Sequence, residues 1–515
     1  MSRYCFRQYL LYLPGGVPSK IGVVNQMQDT KNEKKEKLLL LLFTVILLAI
    51  NAIRICNDSI SGDEGFSIQL ARDSVAGMIQ ATAADVHPPL YYLIFQVFAL
   101  FIGTSAPAAK FVTFAAIILT MILANTYIRK QFGVYTAAFF VVLLTFNVTG
   151  IEMIVEARMY TWAMLFVTLT ALFAYELIKR QHIGKWAGLL IFGLAAGYTH
   201  YYALIMVAFI YIFTFSILIL RDRKNLLSCF LCGVCAVLCY LPWLLILIQQ
   251  FGDVASDYWI NSIELKEWIR YIFGHDRFGR LLRMILLIAG FLYLFTKDGL
   301  KITHDLTGKD KKKTTAYMRF DWDKVPPEAL NERLLVLMCG ITVLGTLAVA
   351  AIVSYLFRPL YVERYLYSAF GLIALAFGIS FVNVSRRKIY SWILIAAILL
   401  VGANSFRTIY QTENSYMTEE AKAFFRENLE PGDVFVTDNS QLSWTVLDYY
   451  YPDIQNYPLG EFDFFHQEYH TVWYLSNKPE LDERIRKYEI QGLQVTFICD
   501  SGIGRYPYSL YKITK

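Results

Sequence analysis

A succession of apolar segments, each near the length of a bilayer crossing and separated by short loops bearing Lys or Arg, constrains this chain more than any other feature. A helix needs about 20 apolar residues to span a membrane. Segments 38–55, 108–128, 134–151, 160–178, 202–220, 227–248, 334–356, 365–383 and 389–406 meet or approach that length, and 186–199 and 281–296 are slightly short. Only 17% of the 515 residues are charged, against roughly 25% in soluble proteins. The pattern predicts a polytopic α-helical membrane protein with about eleven spans. The net charge of +6 resides largely in loop-sized basic runs beside the spans, so no nucleic-acid partner is expected.

The apolar run 88–103 is ambiguous, being about 24 Å long at the helical rise of 1.5 Å per residue. The tendency of Lys and Arg to stay on the cytoplasmic side resolves it. If 88–103 does not cross, then Arg129-Lys130, Lys179-Arg180, Arg221 to Lys224, the Lys309–Lys313 loop and Arg386-Arg387-Lys388 all fall on the cytoplasmic side. If it crosses, every later loop inverts. The run is therefore expected to be an interfacial or re-entrant helix, with the amphipathic stretch Phe66 to Ile79 as a second interfacial helix. Residues 1–37 read as a cytoplasmic tail, 38–406 as the membrane domain with an outer loop over 56–107, and 407–515 as an extracytoplasmic domain. No cleavage pattern succeeds the first apolar run, so it should remain as an anchor. Residues 1–26 fit poorly with the rest of the chain, and Met27 opens a more ordinary start.

Hydropathy drops after Phe406. In the tail, Thr418 to Asn428 has helical character with Thr418 as N-cap and Pro431-Gly432 as the stop. Val434 to Thr437 and Leu493 to Ile498 read as strands, and Leu481 to Tyr488 as a helix, which together predict a small α/β domain. Cys229, Cys232, Cys235 and Cys239 have the spacing of an iron–sulfur run. They lie inside an apolar span, though, where free Cys packs as a small hydrophobe.

Under the expected topology, Asp63, Glu64, His87, Glu156, Arg158, Tyr160, His200, Tyr201 and Arg364 all reach the outer face. Ionisable groups at a membrane face are costly to hold and tend to be functional. Transporters more often place them near the bilayer midplane. The adjacent carboxylates of Ser61-Gly62-Asp63-Glu64 can supply a general base. In His87-Pro88-Pro89-Leu90-Tyr91-Tyr92 the prolines suit the first turn of a helix, leaving His87 at its entrance. Arg158 and Arg364 carry the planar, permanently charged fork that suits phosphate. Asp253, Asp257, Tyr258, Trp259 and Asn261 share a longer outer loop and receive no role.

Taken in order, Asp63-Glu64, His87-Pro88-Pro89-Leu90, Glu156-Ala157-Arg158-Met159-Tyr160 and Thr199-His200-Tyr201 resemble the motifs of the GT-C class of polyprenyl-phosphate-sugar glycosyltransferases. That class includes the protein O-mannosyltransferases and the lipid A aminoarabinose transferases. The resemblance covers most of residues 38–406. It implies a GT-C-like fold and transfer of a sugar from a polyprenyl-phosphate carrier, with inversion, at the outer face of a bacterial plasma membrane. Asp63 would then be the base, with Glu64 beside it and Glu156 as a second acid. His87, Arg158 and Arg364 would be cations for the leaving phosphate, and Tyr160, His200 and Tyr201 would lie near the donor. The aminoarabinose transferases carry Lys where this chain has His87. No cofactor is expected, although the resemblance allows a divalent ion beside the acids. The acceptor is left open among lipid, cell-wall polymer and protein. The alternatives are a flippase or transporter of a lipid-linked saccharide, and a catalytically silent relative that docks a partner.

Overall fold

A computed structural model describes residues 20–253, 277–295, 300–305, 315–320, 326–356, 362–385, 387–477 and 483–515. The Lys309–Lys313 loop, Arg386 and the Asp257-to-Asn261 group lie outside them. Eight described helices are long and apolar enough to cross a membrane: Glu33–Cys56, Ala106–Phe132, Tyr160–Lys179, Tyr201–Arg221, Asn225–Gln250, Pro327–Leu356, Glu363–Val384 and Lys388–Asn428. The chain is a multi-pass membrane protein. Three further predicted spans are shorter helices, Val134–Phe146, Ile183–Gly197 and Arg277–Phe295. The expected 134–151 span is interrupted at Asn147, whose extended backbone ends one helix while its side chain accepts the Thr149 N–H (3.1 Å) to cap Val148–Met153. A Cβ on Gly150 would lie 2.3 Å from the Leu144 carbonyl, so the tight turn needs glycine there.

The two ends of the bundle differ in charge. At one end Arg129 reaches Glu33 (3.7 Å), Lys388 reaches Glu36 (4.0 Å), and Arg221 donates to Asn331 (2.9 Å). The basic loops thus gather together, as the charge rule requires. Leu90–Ile102 begins and ends at the opposite end: the Leu90 N–H donates to the Tyr198 carbonyl (3.0 Å), and Thr104, just past its terminus, accepts from Arg72 (3.1 Å). This helix does not run the length of the bundle. Phe66 to Ile79 departs from expectation. It is split between Gly62–Arg72 and Val75–Ala84, because Asp73 and Ser74 are extended and the Ser74 hydroxyl caps the second helix at Gly77 (3.0 Å).

A two-stranded antiparallel pair, β1 (Leu300–Asp305) and β2 (Thr315–Phe320), lies between the membrane helices. The terminal region holds β3 (Val434–Thr437), β4 (Asn456–Pro458), β5 (Val472–Ser476), β6 (Gln494–Ile503) and β7 (Tyr506–Thr514) in one mixed sheet of order β4-β3-β5-β7-β6. One face shares a continuous apolar core with the bundle end through Phe425, Phe435, Val446 and Trp473. The other face holds a separate cluster around Val436, Phe462, Tyr474 and Ile513. Thr418 is not the N-cap of Thr418–Asn428: Met417 takes that place without a side-chain bond. The Thr418 hydroxyl instead donates to the Gly504 carbonyl (3.2 Å) and meets Ser59 Oγ (2.9 Å), so tertiary contact overrides the local preference.

The domain sits tightly on Gly62–Arg72. A Cβ on Gly62 would lie 2.9 Å from the Tyr506 hydroxyl, and one on Gly65 would lie 3.0 Å from the Thr445 carbonyl. Glycines on both sides of the acidic pair therefore let the terminal domain touch the helix backbone. Beneath it, Arg54 of the first span forms a bidentate pair with Glu413 at the end of the last one (2.8 and 2.5 Å), fixing the platform on which the domain rests.

Candidate active site

Asp63 and Glu64 are neighbours in sequence with opposite surroundings. Glu64 is fully buried and its carboxylate is saturated. Oε2 accepts the Ser61 N–H (2.8 Å) and a contact from Arg505 (2.9 Å), while Oε1 accepts the Ala157 N–H (2.9 Å). Its own N–H donates to Ser61 Oγ (3.3 Å), completing a capping box, a reciprocal arrangement that satisfies two orphan donors of the first helical turn. Ser61-Gly62-Asp63-Glu64 spells that box in sequence, a signal missed in favour of the acidic pair alone.

Asp63 is half-buried, and its Oδ2 pairs with Arg364 Nη2 at 2.7 Å. Burial pushes its carboxyl up, but Arg158 and Arg364 outweigh burial and hold it below the ordinary aspartate range. Arg158 is buried and donates through Nη1 to the Asp63 carbonyl (3.1 Å), Ser67 Oγ (3.1 Å) and Tyr92 OH (3.3 Å). Its Nη2 faces His87 Nε2 at 3.4 Å.

That last contact bears on the state of His87. A guanidinium only donates, so Nε2 must accept, and the ring proton sits on Nδ1, which donates to Asp85 (2.8 Å). Burial lowers the imidazole pKa, and the neighbouring Arg158 adds to the effect against the pull of Asp85. Both contacts favour a neutral imidazole that accepts from Arg158 and donates to Asp85. His200 is likewise held neutral, by burial first and with the arginines adding to it. Its Nδ1 accepts the Tyr202 N–H (3.1 Å).

Aromatic rings wall the site. Tyr365 lies 5.0 Å from His200 and 6.2 Å from Tyr160 between ring centroids, and Tyr160 lies 5.7 Å from His200. Tyr365 directly follows Arg364 in sequence. Tyr201 is not in this group. Its hydroxyl donates to Gln250 and accepts from Trp243 (3.1 Å), and Gln250 in turn holds the carbonyls of Thr82 (3.1 Å) and Ala83 (3.0 Å). Tyr201 supports the loop that leads to His87 rather than the cluster itself.

Glu156 turns toward the terminal domain, where Arg505 Nη1 donates to its Oε2 (2.7 Å). Burial and nearby Glu64 push its carboxyl up against the pull of Arg505, and the net shift is upward. Arg505 had no sequence signal beyond the preceding glycine, since its partners lie more than three hundred residues away.

All three acids are thus committed to guanidinium groups. Among the described residues no trio of His, Cys, Asp or Glu is arranged to hold a metal. Cys229 and Cys232 are buried while Cys235 and Cys239 are exposed, and the four form no metal-holding group among the described residues. An apolar groove of about 540 Å³ between Phe215, Leu226 and Val237 lies away from the charged cluster. Three buried donors of the cluster have no hydrogen-bond partner among the described residues: Arg158 Nε, Arg364 Nε and Tyr160 OH. They lie within electrostatic reach of one another and of Asp63. A buried donor without a partner carries a desolvation penalty. Three of them around one carboxylate are suited to an anionic ligand.

No family model and no curated protein matches the sequence. Solved structures do match. ArnT from Cupriavidus metallidurans in the apo state aligns with a TM-score of 0.58 at 11% identity, over 92% of this chain and 97% of that one. ArnT from the same organism bound to undecaprenyl phosphate aligns at 0.57 and 12%, over 92% and 98%. The chain carries the ArnT-like GT-C fold that its motifs implied, a bundle of membrane helices with a small terminal sheet.

Proposed function

We propose that the charged end of the bundle transfers a sugar from a polyprenyl-phosphate carrier to an acceptor hydroxyl at the outer membrane face. The observation that carries this reading is the set of unpartnered donors, Arg158 Nε, Arg364 Nε and Tyr160 OH, around the half-buried Asp63. Support also comes from the likeness to ArnT bound to undecaprenyl phosphate. The sugar C1–oxygen bond breaks with its electron pair going to the phosphate, the acceptor oxygen bonds C1 from the opposite face, and Asp63 takes the acceptor proton.

A carboxylate with a depressed pKa is a weak base, so proton transfer must come late. Arg364 offers a way to couple the events. As charge builds on the leaving phosphate, the guanidinium is drawn toward it, Asp63 is released, and its affinity for the proton rises. Electrostatic stabilisation of this kind is often the largest single contribution to catalysis. Arg158, aimed by neutral His87, holds the phosphate from the buried side. Glu64 and Glu156 position rather than react, because Arg505 and backbone N–H groups occupy them. Tyr160, Tyr365 and His200 form the wall against which the donor lies. Lipid, cell-wall polymer and protein remain open as acceptors.

The test is incubation of the purified protein in lipid with a mixed pool of polyprenyl-phosphate sugars and a membrane extract as acceptor source, alongside Asp63→Asn. Release of free polyprenyl phosphate by the wild type alone supports the reading, and the sugar consumed names the donor. Absence of release from both would sink it in favour of binding or transport of a lipid-linked sugar.

A further inference from the structure

The hairpin that closes the terminal sheet grips the segment carrying Asp63. β6 and β7 are joined by the two-residue turn Gly504-Arg505, with Ile503 paired to Tyr506. Gly504 sits at φ +58°, which favours glycine in a tight hairpin turn. A Cβ there would also lie 2.4 Å from the Ile60 carbonyl. The turn is therefore built to approach the backbone just before the acidic pair. Its grip has three further parts. The Arg505 N–H donates to the Ile60 carbonyl (2.9 Å), the Tyr506 hydroxyl accepts the Gly62 N–H (2.9 Å), and the Arg505 fork spans Glu64 (2.9 Å) and Glu156 (2.7 Å).

We propose that Arg505 is a positioning residue through which the terminal domain sets the geometry of the membrane site. The inference rests on the reading of Asp63 as base. Glu64 directly succeeds Asp63, and Glu156 lies two residues before Arg158. One guanidinium thus ties the strand of chain carrying the base to the strand carrying the phosphate-side cation. Without it two buried carboxylates share a site with their directly paired cation gone, while Lys110 and Arg364 act on them only without direct contact. Either one takes up a proton or the two segments move apart, and the Ser61–Glu64 capping box and the Glu64–Ala157 bond are disturbed in either case. A displacement of about 1 Å in a catalytic group can lower a rate about 10²-fold.

Three variants test this: Arg505→Gln, Arg505→Lys and the double variant Arg505→Gln/Glu156→Gln. Donor cleavage is measured as kcat and KM. Asp63 is monitored independently by its rate of carbodiimide labelling, read by peptide mass spectrometry. Arg505→Gln is expected to lower kcat about 10²-fold with KM for the donor nearly unchanged, and to change Asp63 labelling several-fold. Arg505→Lys restores the charge without the fork and should recover part of both. The double variant removes the like-charge conflict and should recover most of the labelling rate and kcat. A merely structural loss would not be relieved by deleting a second polar group. The proposal is overturned if Arg505→Gln leaves kcat and Asp63 labelling as in the wild type, or if the double variant relieves neither although it melts at the wild-type temperature. If the wild type itself cleaves no donor, the reading of Asp63 as base fails, and labelling still decides whether Arg505 positions it.

Discussion

Two acids at opposite ends of the bundle, Glu176 and Asp63, are built from the same kinds of neighbours and reach different states. At the basic end Glu176 accepts from Tyr127 OH (2.7 Å), Lys179 (2.9 Å) and Lys185 (3.0 Å), a closed set that joins neighbouring helices. At the other end Asp63 has one direct cation, Arg364, while donors on Arg364, Arg158 and Tyr160 are left without partners. Tyrosines, a carboxylate and cations make a structural knot in one place and an open site in the other. What separates them is saturation, not composition. A network whose donors are all used has nothing left to offer a ligand, whereas the Asp63 cluster withholds three.

The contrast is easiest to break at the base. Asp63→Asn keeps the size of the side chain and removes its proton affinity, so kcat for donor cleavage should fall about 10²–10⁴-fold, the usual contribution of a general base. A fall of only a fewfold would show Asp63 to be a knot like Glu176. Arg364→Gln should have the next largest effect, lowering kcat about tenfold through loss of the contact that forms as charge builds on the leaving phosphate, roughly the worth of a charged hydrogen bond. It should also move the acid limb of kcat/KM to higher pH. The sign comes from the burial of Asp63, which raises its pKa, once one of the two cations that overcome that rise is gone. An unmoved acid limb would show that Arg364 does not tune Asp63.

The histidines sharpen the comparison more gently. Their folded pKa values are depressed by burial. The unfolded chain therefore binds protons first on acidification. The stability their neutrality supplies is complete above about pH 6.5 and is lost as pH falls toward the folded values. Melting temperature should accordingly be level from neutral to alkaline pH and decline at lower pH. In His87→Gln, whose amide can accept from Arg158 and donate to Asp85, that decline should be shallower. A steeper decline would mean that His87 is charged in the folded protein.

How much of this was legible beforehand depends on the reach of each interaction. The membrane helices, the short 88–103 run and the segregation of basic loops come from hydropathy and charge, which act residue by residue. The acids, His87 and the arginines reach one end because of that topology. The sequence did not disclose how they pair. Glu64 was taken as half of a reactive pair, yet its spacing from Ser61 is that of a capping box, and the box fully occupies it. Arg505 bonds acids hundreds of residues away, a contact that only the folded hairpin creates. Thr418 is a strong N-cap candidate by local rules, and its hydroxyl was recruited by Gly504 and Ser59. The state of His87 depends on Arg158, 71 positions away in sequence. The buried guanidinium next to it makes the neutral form the better acceptor.

The smallest effect belongs to the closed network and completes the comparison. Glu176→Gln keeps an acceptor for Tyr127 but gives up the charge opposite Lys179 and Lys185. The site is partly exposed, with 22% of the Glu176 side chain accessible, so solvent screens much of the loss. Stability should fall by about 1 kcal/mol, read as a small drop in melting temperature, while kcat and KM for donor cleavage stay at wild-type values. The two readouts separate the two kinds of acid: at Glu176 stability moves and turnover does not. If turnover also fell by an order of magnitude, the basic end would be coupled to the chemistry. Saturation would then no longer distinguish a knot from a site.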